Sequence, residues 1–386
     1  MTPSHPKNQR VHLTTAIPGP KSRELRARED AHLAPGIQGY AVAAGIALES
    51  AVGSAVTDVD GNTLLDIIGG IGVNALGHSH PKMVRALGDQ VVHASVGSFT
   101  TGVRVELVER LAAHAPAPGV HRVQLYSSGA EAVESALRLA KAHTGKHEFV
   151  SFWGAFNGKT MGALSLMGSS FKDGLGPMVP GSHIVPYADC YRCPIGLTYP
   201  SCGIACAEVA KKQVKMQSTG SVAAVIVEPI QGTAGNIVPP DEFLPIIREM
   251  AHELGALFIA DEMITGFGRT GKYWGAQHSG AAPDIVTIGK AFGGGFPLSG
   301  LVTTDAISRS KPWSNPSGSS SSYGGNPLGA AAGAAARVQR NERAARSRSP
   351  GLDGRARYSR EPAKAAHRAR CARPRARRPR RPVAGR

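Results

Sequence analysis

The sequence predicts an α/β protein: a mostly parallel sheet with helices on both faces, preceded by a smaller antiparallel element. Three observations predict it. Short, almost wholly apolar segments recur between residues 123 and 304, as expected of strands covered on both faces. Segments with apolar residues at helical spacing alternate with them, the rhythm of a doubly wound sheet. An earlier segment, SAVTDVDGNTLLDIIGG, alternates apolar and polar residues about Asp60-Gly61 and reads as a hairpin.

Taken in order, residues 1 to about 40 are polar, carry Pro18, Pro20 and Pro35, and read as an arm. Helices are expected at PKMVRALGDQVVH and VELVERLAAHA, then from SSGAEAVESALRLAKAH. Strands are expected at VQLY (123–126), FVSFW (149–153), VAAVIVEPI (222–230), ALFIADE (256–262), DIVTIGK (284–290) and PLSGLVTT (297–304). DEFLPIIREMAHELG is a helix with Asp241 as N-cap and Gly255 as its stop. Beyond Gly333 the pattern ends and the chain turns to Arg, Pro and Ala, too poor in large apolar side chains to offset the entropy of ordering. The expected organisation is an arm and part of a small domain over 1–80, a large domain over 81–335, and an unfolded tail over 336–386.

The chain has 386 residues and a formal net charge of +16, with 42% hydrophobic residues, which excludes a disordered or fibrous protein. From Asn341 onward there are 16 Lys and Arg against three acids, so the tail holds most of the excess. The basic balance therefore says little about what the body binds. No run approaches the roughly 18 apolar residues of a membrane span, and MTPSHPKNQR lacks the apolar core of a signal peptide. A soluble, cytoplasmic protein with no membrane partner is the expectation.

Four places carry chemistry. Strand VQLY runs into Ser127, Ser128, Gly129 and Ala130 at the start of an amphipathic helix, where free N–H groups and the helix dipole suit a phosphate. Asp261 ends the apolar strand LFIAD, which aims its carboxylate into the crevice at the carboxyl edge of such a sheet. Lys290 ends the next strand, PDIVTIGK, and poor solvation there lowers its pKa toward amine nucleophilicity. The loop SSSSYGGNP (319–327) adds hydroxyls among glycines. Singly, each is also an ordinary helix start or strand-end charge. Together they describe a pyridoxal phosphate (PLP) site: Lys290 as Schiff base, Asp261 on the pyridine nitrogen, the Gly129 helix on the phosphate.

The series SGAEAVESALRLA, GAFNGKT, VEPIQG, DEMITGFGRTGK, PDIVTIGKAFGGGFPLSG and SYGGNPL resembles the motifs of class III aminotransferases of the ornithine, acetylornithine and 4-aminobutyrate type, over about residues 20 to 335. That resemblance implies a fold-type I PLP-dependent transferase, a homodimer with its active site at the subunit interface, and ping-pong amino transfer. It further implies that Ser128, Gly129 and Ala130 hold the phosphate and that Phe156 stacks on the ring. Glu228 would be the acid behind the cofactor, Met263 and Ile264 would line it, and Ser322 would reach the phosphate of the neighbouring subunit. Lys159, Thr233 and Ser321 are the implied substrate-binding positions.

Three positions depart from the pattern. Lys159 stands where many members have an arginine that grips a substrate carboxylate, so a bidentate fork becomes a point charge. Thr233 replaces a glutamate that masks a second arginine in ornithine- and 4-aminobutyrate-type enzymes, and Ile264 replaces a common glutamine. Nothing after about Val338 resembles the family's C-terminal small domain.

Cys190, Cys193, Cys202 and Cys206 form a C-x2-C-x8-C-x3-C cluster, a spacing suited to zinc or an iron-sulfur centre as well as to four reduced thiols.

The expected function is transfer of an amino group from an ω-amino or terminal-amine donor to a 2-oxo acid, by default from 4-aminobutyrate to 2-oxoglutarate. The alternatives are an amino-sugar or other secondary-metabolite aminotransferase, a racemase or aminomutase on the same cofactor, and an inactive, nucleic-acid-associated protein using its basic tail.

Overall fold

The computed structural model describes residues 11 to 346, and from residue 337 only the backbone of the last helix. The described residues up to Ala344 belong to one compact unit. Its centre is a seven-stranded sheet of β4 (Val120–Tyr126), β5 (Glu148–Phe152), β6 (Ser182–Val185), β7 (Val222–Val227), β8 (Leu257–Asp261), β9 (Ile285–Ile288) and β10 (Ser299–Thr304). Their spatial order is β4-β10-β9-β8-β7-β5-β6. Only β10 runs antiparallel, to β4 on one side and β9 on the other, so the expected mostly parallel sheet is what forms.

The apolar strands are buried on both faces. Within β7, Val225 and Val227 join a layer with Phe243, Ile247 and Met250 of helix Phe243–Glu253, whereas Ala224 and Ile226 join one with Val133, Ala136 and Ala140 of helix Gly129–Thr144. A strand serving two cores has no polar face, which is why it reads as an unbroken apolar run.

A separate antiparallel sheet joins Leu48–Val52, Ala55–Asp58 and Thr63–Leu65, strands β1 to β3. The expected hairpin is β2–β3, turning at Asp60-Gly61, and β1 is an addition. The arm is more ordered than its composition suggests. Pro20–Asp30 is a helix whose first turn is held by the hairpin, the Lys21 and Ser22 amides donating to Asp60 at 2.8 and 2.9 Å, and the segment before it is held likewise, the Thr14 and Thr15 amides donating to Asn62 Oδ1 at 2.8 and 2.9 Å. Turn carboxylates and amides satisfy orphan N–H groups that a reading by hydrophobicity overlooks.

Other boundaries also moved. Helix Phe243–Glu253 starts after Glu242 without a side-chain cap, so Asp241 is not the N-cap, while Gly255 does stop it at φ 60°. The chain beyond Gly333 is not yet tail: helix Pro327–Arg346 continues to residue 346, its alanines being strong helix formers. The rest of the expected tail lies outside the described residues. No described helix is long and apolar enough to cross a membrane.

At the mouth of β5, Glu148 is 4% exposed. It accepts from Ser218 Oγ, from the Thr219 amide (3.0 Å) and from Thr219 Oγ1 (2.8 Å), and His183 Nε2 lies 3.3 Å away. Burial pushes its carboxyl up, but these partners together outweigh that and bring it to about 2. A folded pKa below the unfolded one contributes stability above pH about 4.5 that is lost as pH falls through about 2. Glu148→Gln is expected to cost about 2 kcal/mol at pH 7, with the gap in unfolding free energy narrowing below pH 4.5. A gap independent of pH would contradict this role.

Candidate active site

All the parallel strands deliver their carboxyl ends to one edge of the sheet, and the side chains singled out above lie just beyond those ends. At the end of β8, Asp261 is 2% exposed. Its Oδ1 accepts from Thr287 Oγ1 on β9 (3.0 Å) and from the Met263 amide (3.2 Å); its Oδ2 accepts from Asn157 Nδ2 (2.7 Å). The register explains the first contact, since Asp261 pairs with Thr287 across β8 and β9. Burial pushes this carboxyl above the ordinary aspartate value, opposed by Asn157, by the Lys290 charge and by the other donors.

Lys290 follows β9 in a left-handed conformation, φ 45°. Burial lowers its pKa, as expected from poor solvation, while Asp261 and Glu228 act in the opposite direction. Three residues from three strand ends therefore share one electrostatic environment. Met263 fills the space between the two ends of the site: a Cβ on Gly129 would sit 3.0 Å, and one on Gly289 2.6 Å, from its sulfur.

Glu228, after β7, ties two loops together. Its Oε1 accepts from the Phe156 amide at 2.9 Å and its Oε2 from the Gly232 amide at 3.1 Å. Burial and then the Asp261 charge push its carboxyl up to about 7, against those donors and Lys290. A folded pKa raised above 4.5 gives stability that is present below about pH 4.5 and lost as pH rises through about 7. Between pH 5 and pH 8 the melting temperature of Glu228→Gln is expected to rise relative to the wild type by on the order of 5 °C. A parallel pH dependence of the two proteins would refute it.

The phosphate candidate is a 16-residue helix, Gly129–Thr144, whose N-cap Ser128 accepts from the Glu131 amide at 3.2 Å. Glu131 reaches back to the Ser127 amide at 3.0 Å, and Ser299 Oγ donates to the Ser128 carbonyl at 2.6 Å. Ser127 Oγ is buried without a hydrogen-bond partner, a hydroxyl left free at a helix start. The loop with Phe156 presses on this turn, since a Cβ on Gly158 (φ 139°) would meet Ala130 Cβ at 2.8 Å.

Toward solvent, Phe156 meets Phe171 edge-on at 5.5 Å, and the ammonium of exposed Lys159 sits 4.9 Å over the same Phe171 ring. Ile264 packs against Gly232, beside exposed Thr233. Ser321 is half-buried and Ser322 exposed on a loop anchored through Ser319, whose carbonyl accepts from Tyr126 Oη at 3.0 Å. No side-chain hydrogen bond joins Ser321 or Ser322 to the rest of the site among the described residues. Sequence reasoning missed Asn157, Thr287 and Phe171. Asn157 stands inside the quoted GAFNGKT, and Thr287 is a lone hydroxyl in an apolar strand that only the register places on Asp261.

The residues present fit pyridoxal phosphate. An open helix start with an orphaned hydroxyl, a buried carboxylate held by neutral donors, and a poorly solvated lysine provide for phosphate, ring nitrogen and aldehyde respectively.

The metal expectation finds no support among the described residues. Cys190, Cys193, Cys202 and Cys206 are free thiols lining one small cavity with Ile195, Leu197, Tyr199 and Ile204. Among the described residues no group of three or more Cys, His, Asp or Glu is arranged to hold a metal ion. Cys190 is exposed and Cys206 buried, and burial, followed by the charges of the other three cysteines, raises the Cys190 thiol to about 11.

The chain is similar to known proteins over most of its length. The Aminotransferase class-III description matches residues 39–344. The diaminobutyrate–2-oxoglutarate aminotransferase of Rhizobium meliloti (strain 1021) is 39% identical over 299 residues, 75% of this chain and 62% of that one. The putrescine aminotransferase of Pectobacterium atrosepticum is 40% identical over 285 residues, 71% and 57% of the two chains. The chain thus spans about three-fifths of the length of these relatives. The crystal structure of an amine transaminase from an uncultivated Pseudomonas species, in a PLP-bound form, superposes with a TM-score of 0.74 at 28% identity, over 81% of this chain and 74% of that one. With the family description matched over residues 39–344 and the fold shared with a solved transaminase, this chain belongs to the class III aminotransferase family, on a fold-type I scaffold.

Proposed function

We propose that the protein is a pyridoxal-phosphate-dependent aminotransferase that moves an amino group from a terminal-amine donor, by default 4-aminobutyrate, to a 2-oxo acid such as 2-oxoglutarate. The observation that carries this reading is the placement of buried Asp261 and poorly solvated Lys290 at adjacent strand ends, where the charge of each acts on the other. When bound, the cofactor supplies a conjugated ring that takes up the electron pair freed at the donor's amine-bearing carbon.

The chain's own residues do the rest. Lys290 holds the cofactor and, with its pKa lowered by burial, serves as the amine that takes and returns the proton. Asp261, kept from solvent, stabilises positive charge on the ring nitrogen. Gly129, Ala130 and the free hydroxyl of Ser127 take the phosphate, with Ser128 capping their helix. Phe156, Met263 and Ile264 would line the ring, and Glu228 ties the Phe156 loop to the Gly232 turn on which Ile264 packs. Lys159, Thr233 and Ser321 are the positions offered to the substrate.

A homodimer is part of the proposal: Ile67 is 92% and Phe99 89% exposed, and Ser322 faces outward where a second copy could use it. The relatives named above act, by their names, on diaminobutyrate and putrescine, both chains ending in a primary amine, which supports the donor class. Neither supports an amino-sugar substrate or a nucleic-acid role.

The test is product formation from 2-oxoglutarate with 4-aminobutyrate, diaminobutyrate and putrescine as donors, on the full chain with added pyridoxal phosphate. Glutamate formation with at least one of them supports the proposal. Its absence with every donor and with pyruvate as alternative acceptor would reject it.

A further inference from the structure

Asp261 lies between two kinds of support. Thr287 and the Met263 amide come from β9 and from its own turn, whereas Asn157 comes from the loop after β5, two strands away in the sheet. Asn157 is 4% exposed. Its Nδ2 donates to Asp261 Oδ2 at 2.7 Å, and its Oδ1 is buried with no hydrogen-bond partner. Leaving an amide oxygen unsatisfied is costly, so the orientation needs a reason. Turning the amide over would put that oxygen against a carboxylate oxygen, which is worse. The orphaned acceptor is what remains when the donor is committed to Asp261.

The same short loop carries Phe156, held through its amide by Glu228, and Lys159 over Phe171. It is pressed onto the phosphate helix at Gly158 and Ala130. One amide thus connects the Asp261 carboxylate to the loop that carries Phe156.

We propose that Asn157 is a positioning residue for Asp261, its amide N–H fixing Oδ2 so that the remaining lone pair of that oxygen is presented to the cofactor's ring nitrogen. The inference rests on the cofactor reading above. With the donor removed, Asp261 is less well held as a carboxylate and competes more strongly for the ring proton. A ring that loses its proton withdraws less charge from the nitrogen linking it to Lys290.

Asn157→Leu keeps the volume and removes the donor, and Asn157→Ala is the second variant should leucine impair folding. On the full chain with pyridoxal phosphate, either is expected to weaken cofactor binding about tenfold and to raise by about one unit the pH at which the visible band of the lysine-bound cofactor titrates. The cofactor-free melting temperature of each serves as the control for a merely structural effect. A folded variant whose cofactor affinity and titration match the wild type overturns the inference, whatever its melting temperature. Failure of the wild type itself to take up the cofactor overturns the functional reading, and this inference with it, and is told apart because it shows before any substitution is made.

Discussion

Lys290→Ala is expected to lower amino transfer by about three orders of magnitude or more, because one substitution removes both the covalent hold on the cofactor and the proton-moving amine. The change is chemically selective. Lys290 is only half-buried and its side chain is not part of the apolar layers, so the melting temperature of the cofactor-free protein should move little. Removing an ammonium whose charge burial opposes can even relieve the site. The checks are turnover with the best donor and the visible absorbance of the protein with pyridoxal phosphate. A variant that keeps the wild-type absorbance band, or more than a few per cent of turnover, would remove Lys290 from its role.

Asp261→Ala is expected to separate binding from chemistry. The lysine remains, so the cofactor still attaches and the visible band persists, but turnover falls by about a hundredfold or more because no carboxylate stabilises positive charge on the ring nitrogen. The same variant leaves the Asn157 amide, Thr287 hydroxyl and Met263 amide facing a vacated space, so it also loses stability, unlike the lysine variant. Stability and activity therefore part in opposite ways at the two positions. Unchanged turnover in Asp261→Ala would remove it from the mechanism.

Much of this site was legible because its parts follow apolar strands directly. A strand buried on both faces declares itself by composition, and the first polar residue after it must lie at the sheet edge; that logic located Asp261 and Lys290, whereas Glu228 came from the resemblance of VEPIQG to the family's motif. The helix at Gly129 was legible through its Ser cap and apolar spacing. What stayed hidden depends on register and on loops. Thr287 acquires its meaning only when β9 is set against β8 so that it pairs with Asp261. Asn157 depends on how a turn rich in glycine folds back from β5. β6, with SHIV as its whole length, is too short and too mixed to stand out.

The arm was misjudged, and the metal reading of the cysteines left without support, for related reasons. Composition registers apolar burial, whereas helix Pro20–Asp30 is held by polar atoms of Asp60, a partner 38 to 39 positions away. Cysteine spacing registers proximity along the chain, but metal binding needs sulfurs set at ligand geometry, and among the described residues these thiols line a small cavity without forming such a group.

The most direct test of the central claim, that the crevice at Asp261 and Lys290 holds pyridoxal phosphate for amino transfer, is the absorbance spectrum of the full chain. It is recorded with the cofactor added, then with a terminal-amine donor, then with 2-oxoglutarate. The account predicts a visible band from lysine-bound cofactor that the donor bleaches and the 2-oxo acid restores, with Lys290→Ala showing no such band. A wild-type protein that develops no band with excess cofactor would contradict it.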